Sequence, residues 1–88
     1  MHADEKRSVE MAELKTTLHD IAAAIVDSPD QVKVECEENE SSINLTLSVA
    51  PDDMGMVIGR HGRIAKAIRT VIKAAATSSG KRVNVEIR

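Results

Sequence analysis

The sequence predicts a single α+β domain in which a three-stranded mixed sheet carries helices on one face, in the order α-β-β-α-α-β. Three observations predict this class. Apolar residues recur at helical spacing in three segments, they alternate with polar residues in three others, and short polar, proline or glycine stretches separate the segments. The chain has 88 residues, which is enough for one hydrophobic core and too few for a second.

The first helix is predicted from Val9 to Val26, where apolar residues recur at steps of three and four. Its apolar positions are Met11, Leu14, Leu18, Ile21, Ala22 and Ile25. We expect Pro29 to end the helical stretch, because proline disfavours helical geometry in the residue before it. Residues 1–10 are mostly polar and are expected to be a disordered extension, so the folded domain is expected to span residues 11–88.

Two strands are predicted next, because apolar and polar residues alternate on both sides of a polar turn at residues 38–42. The apolar positions are Val32, Val34 and Cys36 in one strand and Ile43, Leu45, Leu47 and Val49 in the other. Val83, Val85 and Ile87 alternate in the same way near the C-terminus. Because a strand, a helical crossover and a strand return in the same direction, this last strand should run parallel to Ile43–Val49.

Two helices are predicted between the second and third strands. The first begins at Ala50-Pro51-Asp52-Asp53, where proline suits the first helical turn and two carboxylates complement the helix dipole. The second is predicted from Arg63 to Ala76 and ends at Thr77-Ser78-Ser79-Gly80. Its apolar face is predicted to consist of Ile64, Ile68, Val71, Ile72 and Ala75, with Arg63, Lys66, Arg69 and Lys73 opposite. Of these basic residues, Arg69 and Lys73 are expected to be solvated.

The two helices meet at a short turn, Gly59-Arg60-His61-Gly62, which is the candidate functional element. Glycine reaches positive φ at little cost, so such a turn can place backbone N–H groups beside a bulky anion, helped by the N-terminus of the following helix. The guanidinium of Arg60 can pair with a phosphate, and Arg63 and Lys66 follow within the next turn. The alternative is a helix C-cap glycine followed by an ordinary tight turn.

Composition and charge narrow the class of ligand. The chain has no Phe, Trp or Tyr, so base stacking on aromatic side chains is excluded. Residues 1–44 carry eleven Asp and Glu against four Lys and Arg, a net charge of −7, whereas residues 51–88 carry three against eight, a net charge of +5. This asymmetry indicates a polyanion contact on one side of the domain, although an ordinary solvated surface could also produce it.

Several other classes are disfavoured. The lone Cys36 excludes an internal disulfide and a cysteine-based zinc site and fits a reducing compartment, so we expect the protein to be cytoplasmic. No apolar run is long enough to span a membrane. Three scattered histidines and the absence of a nucleophile with a visible base predict no catalysis, no metal and no cofactor. The glycine turn also lacks the ending of a P-loop and the third glycine of a dinucleotide site.

The chain resembles the small bacterial KH-domain RNA-binding proteins called KhpA. The resemblance covers roughly residues 11–88 and rests on Val49-Ala50-Pro51-Asp52-Asp53-Met54-Gly55, on Val57-Ile58-Gly59-Arg60-His61-Gly62-Arg63-Ile64-Ala65-Lys66-Ala67-Ile68-Arg69, and on Lys73-Ala74-Ala75-Ala76. It implies a type II (prokaryotic) KH fold, which binds single-stranded nucleic acid at a G-x-x-G loop. It also implies an RNA-binding or RNA-chaperone role, a homodimer, a heterodimer with a larger KhpB (Jag-type) protein, and a link to cell elongation and wall synthesis.

The working hypothesis is that the amides of the glycine turn hold a sugar-phosphate backbone while bases lie over an apolar groove. The residues predicted to contact RNA are Val57, Ile58, Gly59, Arg60, His61, Gly62, Arg63 and Lys66. His61 is either a contact to phosphate or base, or an exposed turn residue. Met56 stands where similar proteins often carry Lys or another polar residue, so one positive charge is missing. The alternatives are a protein interaction module with little nucleic-acid binding and a single-stranded DNA binder.

Overall fold

Three α-helices and a three-stranded sheet make up residues 3–76 and 80–88, the part of the chain that this computed structural model describes, with side chains from Ala12 onward. The elements are α1 (Ala3–Ile25), β1 (Lys33–Glu38), β2 (Ser42–Ser48), α2 (Met54–Ile58), α3 (Arg63–Ala75) and β3 (Arg82–Ile87). The predicted order is confirmed. The side chain of Met11, a predicted apolar position, and the predicted helix-ending residues Thr77, Ser78 and Ser79 lie outside this description.

The sheet has β2 at its centre. β1 pairs with β2 antiparallel, with Val34 opposite Leu47, and β3 pairs with β2 in parallel, with Val85 opposite Leu45. The hairpin and the parallel return of the last strand are therefore both confirmed. Both β1 and β3 are edge strands of this sheet.

The helices cover one face of the sheet, as predicted. Along β2 the residues Ile43, Leu45 and Leu47 are at most 1% exposed, and the residues between them are half-buried. On the helical side these strand residues join one core cluster with Leu18 of α1 and Ile72 of α3. Fully burying such a side chain stabilises the fold by about 1.5–3 kcal/mol. These contacts therefore hold α1 and α3 against β2.

Helix α1 begins at Ala3, well before the predicted start at Val9. The prediction took the lack of apolar periodicity as disorder. However, the segment is rich in Ala, Glu, Lys and Arg, which are good helix formers, and acidic residues near a helix N-terminus are favourable. From Leu14 onward the predicted apolar stripe packs on the core, as expected.

The buried face of α3 differs from the predicted one. Its buried residues are Ala65, Ile68, Ile72 and Ala76, whereas Ile64 is 38% exposed and Val71 is 48% exposed. Ala75, also predicted to pack, is exposed. Apolar residues occupy more than half of the helix circumference, so the pattern alone did not distinguish the core-facing sector from the apolar sector beside it.

The carboxylate of Asp53 has a different role from the predicted one. Residues Pro51–Asp53 form a short 3-10 turn before α2, and Asp53 is only 3% exposed. Its side chain makes no helix-capping hydrogen bond; it accepts one from the backbone N–H of Ser28 at 3.0 Å. This contact joins the loop after α1 to the start of α2 and so helps to fix the glycine turn in place.

Candidate nucleic-acid interface

The glycine turn connects α2 to α3, as predicted. Gly59 ends α2 with φ 76° and ψ 172°, a conformation that is essentially restricted to glycine. A 3-10 turn over Arg60–Gly62 follows, in which His61 (φ 57°, ψ 25°) and Gly62 (φ 73°, ψ 14°) are left-handed. Histidine tolerates this region better than most residues, although the conformation still costs energy. Strained backbone of this kind tends to occur where a ligand is held.

The hydrogen bonds of the turn decide which amides can reach a ligand. The N–H of Gly59 donates to the carbonyl of Gly55 at 2.9 Å, and the N–H of Gly62 donates to the carbonyl of Gly59 at 3.1 Å. These two glycine amides therefore close the turn itself.

The basic side chains of this region are exposed and unpaired. The side chains of Arg60, His61, Arg63 and Lys66 are all exposed, and none of these side chains makes a hydrogen bond or ion pair with any residue that the structure describes. No acidic side chain among the described ones neutralises them, so the positive charge is available to a phosphodiester. The predicted cluster is therefore brought together around the turn, with Arg63 and Lys66 on the first turns of α3.

The apolar part of the predicted site divides in two. Ile58 is half-buried, so part of its side chain can line a surface. Val57 is 0% exposed and belongs to the core cluster, so its side chain packs inside the domain. The reason is helical geometry: neighbouring residues lie about 100° apart around α2, so Val57 points into the core while Ile58 lies at its edge.

Arg69 was not predicted to have a structural contact. It is half-buried, and its Nε donates to the carbonyl of Val85 in β3 at 3.2 Å, which corrects the expectation that it is simply solvated. Lys73 is exposed, as predicted. The signal that sequence reasoning missed is position: Arg69 immediately follows the buried residue Ile68, so it lies at the border of the packed face.

Among residues 12–76 and 80–88, whose side chains the structure describes, no group of three or more His, Cys, Asp or Glu could hold a metal ion. In the same ranges no helix has the length and apolarity needed to cross a bilayer. Burial raises the pKa of the Cys36 thiol, with the charge of nearby Lys15 opposing the shift.

A strand, two helices joined by an exposed G-x-x-G turn and a parallel return strand define a KH domain, and the antiparallel β1 and preceding α1 complete the helix-first form. The chain belongs to the KhpA/KhpB KH-domain family, whose model matches residues 15–87. It is 61% identical to the RNA-binding protein KhpA of Clostridium acetobutylicum over 74 residues. This alignment covers 84% of this chain and 99% of that relative.

Two further relatives agree with this assignment. The RNA-binding protein KhpA of Caldanaerobacter subterraneus is 56% identical over 77 residues, covering 88% of this chain and 99% of the relative. That of Halalkalibacterium halodurans is 50% identical over 74 residues, covering 84% and 97%. The relatives are named as binding proteins, and membership of their family confirms the prediction that the chain is not an enzyme.

Proposed function

We propose that this chain is a single-stranded RNA-binding protein that holds the sugar-phosphate backbone at the Gly59–Gly62 turn. One observation carries the proposal: a group of exposed basic side chains, without a partner among the described residues, surrounds a turn whose glycine amides are already used to hold its shape. The names of the relatives support RNA as the nucleic acid, since each is called an RNA-binding protein.

The mechanism assigns separate tasks to the residues of the turn. The N–H groups of Arg60 and His61 donate to non-bridging phosphate oxygens, and the guanidinium groups of Arg60 and Arg63 add charge-assisted hydrogen bonds. Lys66 contributes a further positive charge. Bases then extend over the surface formed by Ile58 and the neighbouring helix, where hydrogen bonds discriminate between them because the chain has no Phe, Trp or Tyr to stack on.

The affinity of one such site is modest and strongly dependent on salt. If three or four phosphates are contacted, the logarithm of the association constant falls with the logarithm of salt concentration with a slope of about −2 to −3. An interaction module without nucleic-acid binding would show no salt-sensitive binding at all. The affinity for single-stranded DNA of the same sequence, compared with that for RNA, shows how much of the binding comes from phosphate contacts alone.

The test is the double variant Arg60→Asp with His61→Asp, measured by fluorescence anisotropy with a labelled single-stranded RNA. Repulsion by two carboxylates at the turn should weaken binding at least about tenfold, while the exposed positions leave the fold intact. Circular dichroism and thermal unfolding check the fold. Binding that survives in the folded double variant would remove the turn from the mechanism.

A matched control separates local repulsion from a general change in charge. Gln31→Asp with Lys33→Asp changes the net charge by the same amount at pH 7, and both positions are exposed beside β1, far along the chain from the glycine turn. RNA affinity should change less than about threefold in this variant. A loss as large as that of the turn variant would mean that only overall charge matters.

Self-association and pairing with a KhpB-type protein are proposed on the exposed apolar sector of α3. Ile64 and Val71 are 38% and 48% exposed and lie on the same side of the helix. Sedimentation of Val71→Asp should show a monomer where the parent chain forms a dimer, whereas Thr70→Asp, an exposed neighbour with the same charge change, should keep it. An unchanged dimer in Val71→Asp would exclude this surface.

The cellular role proposed is that of an RNA chaperone or post-transcriptional regulator in the cytoplasm, linked to cell elongation and cell-wall homeostasis. The free thiol of Cys36 supports a reducing compartment. The RNA-binding unit is proposed to be residues 11–88, so deletion of residues 1–10 should leave RNA affinity unchanged. A loss of affinity in the shortened chain would place part of the binding surface in that segment.

A further inference from the structure

Arg69 is held in one orientation by the last strand of the sheet. Its Nε donates to the carbonyl of Val85 at 3.2 Å, across 16 residues of sequence, and the side chain is half-buried. An arginine on a helix surface normally samples many rotamers. Here the bond to β3 fixes the plane of the guanidinium.

The carbonyl of Val85 lies on the outer edge of β3. The N–H groups of Arg82 and Arg88 donate to carbonyls of Ser41 and Leu47, on the β2 side of the strand. Backbone groups of successive strand residues point alternately to the two sides, so those of Val85 point away from β2. Arg69 therefore lies along an edge where backbone and guanidinium groups are presented together.

The rest of the guanidinium is free to bind. Among the residues that the structure describes, Val85 is the only hydrogen-bond partner of the Arg69 guanidinium. A guanidinium has five N–H donors in a rigid plane, so fixing Nε leaves the two Nη groups as a preoriented fork. Such a fork matches two adjacent acceptors, as on the O6 and N7 edge of guanine or on a phosphate.

Arg69 lies beyond the phosphate-binding turn, on the same side of α3 as Lys66 and Lys73. At 100° per residue these three side chains fall within a sector of about 60°, beside the buried face. Arg69 is six residues from Arg63, which is roughly 9 Å along the helix axis. An RNA strand that is held at the glycine turn and runs along this side of α3 therefore passes the guanidinium of Arg69.

We infer that Arg69 is a specificity-determining residue that reads guanine by donating from its fork to O6 and N7, an inference that rests on the RNA binding proposed above. A base fits this position better than a phosphate for two reasons. Orientation is fixed here, which a simple charge contact with a phosphate does not require, and the exposed Lys66 already offers such a charge. The chain also lacks Phe, Trp and Tyr, so base preference depends strongly on hydrogen-bond donors of this kind.

The test uses four labelled RNA ten-mers made of uridine, with one central position occupied by guanosine, adenosine, cytidine or uridine. Because the surrounding strand is uniform, the protein can bind in the register that places the odd base at Arg69. The parent chain should bind the guanosine oligomer at least about fivefold more tightly than the all-uridine one, as expected for a bidentate contact. Arg69→Lys keeps the charge and removes the fork, so it should abolish this preference and change all-uridine affinity less than about twofold.

Arg82→Lys serves as the control, because Arg82 is an exposed arginine of β3 whose side chain makes no hydrogen bond or ion pair with the residues that the structure describes. It should retain the guanosine preference. A preference that persists in Arg69→Lys, or is absent from the parent chain, overturns the inference. A uniform loss of affinity in Arg69→Ala with the preference intact makes Arg69 a phosphate contact and also overturns it. If the parent chain binds none of the oligomers, the proposed RNA binding fails as well, so the two failures are distinguishable.

Discussion

Gly59 lies against Ile64 so closely that a side chain at position 59 cannot be accommodated. A Cβ built on Gly59 would lie 2.8 Å from the Cβ of Ile64 and 3.0 Å from its backbone N. A Cβ on Gly62 would meet nothing within 4 Å. The two glycines of the turn are thus required for different reasons, one by packing as well as conformation and the other by conformation alone.

The two positions should therefore respond differently to substitution. Gly59→Ala should destabilise the protein by about 3 kcal/mol or more, because it adds a collision with the start of α3 to a backbone conformation that only glycine adopts readily. Gly62→Ala should cost about 1 kcal/mol, and Gly62→Asn less, since asparagine tolerates the left-handed region. Urea unfolding of the three variants measures this order. Equal losses for the two alanine variants would contradict it.

His61 should lower the stability of the fold while contributing to RNA binding. It is a non-glycine residue with φ 57°, so His61→Gly removes the cost of the left-handed conformation and should stabilise the fold by about 0.5–1 kcal/mol. The same change removes the imidazole from the turn and should weaken RNA binding. Thermal unfolding and anisotropy on one preparation check both effects. A variant that loses stability would mean that the histidine side chain contributes packing.

Asp53 should matter for stability through its acceptor oxygen. Asp53→Ala leaves the N–H of Ser28 without its partner and should cost about 2 kcal/mol, whereas Asp53→Asn keeps an acceptor and should cost less. Asp52→Ala, at the exposed neighbouring position, is the matched control and should change stability by no more than about 0.5 kcal/mol. If Asp52→Ala and Asp53→Ala lowered stability equally, the contact between Asp53 and Ser28 would not contribute to it.

Cys36 should make stability depend on alkaline pH. Burial raises the pKa of its thiol above the ordinary value of 9.0, so the folded state favours the neutral thiol. This contribution is present in full below the ordinary pKa and is lost as pH rises through the folded pKa. Urea unfolding at pH 7.5 and 10.5 should show a larger loss for the parent chain than for Cys36→Val. Identical losses would assign the pH dependence to other groups.

The strands and the glycine turn could be predicted because their signals are local. Alternation in β2 and β3 reports one buried face directly, and the parallel return follows from the helical crossover between them. The face of α3 could not be predicted in the same way. Ile64 and Val71 are as apolar as Ile68 and Ile72, and only the position of α1 and the sheet decides which pair is buried.

The details of the site depended on contacts between distant segments. Nothing in the local pattern indicates that Arg69 reaches Val85 or that Asp53 reaches Ser28, because each partner lies on another element. The start of α1 was missed for the opposite reason. Its first residues show no apolar periodicity, and their helical propensity was given too little weight beside the missing pattern.

The parallel pairing of β2 with β3 has a consequence for synthesis of the protein. The chain leaves the ribosome N-terminus first, so α1 and the β1–β2 hairpin emerge while the strand that completes the sheet is still being translated. A two-stranded hairpin is marginal on its own. Nascent chains that stop before Arg82 should therefore stay open to proteases, and resistance should appear only once Ile87 has cleared the exit tunnel.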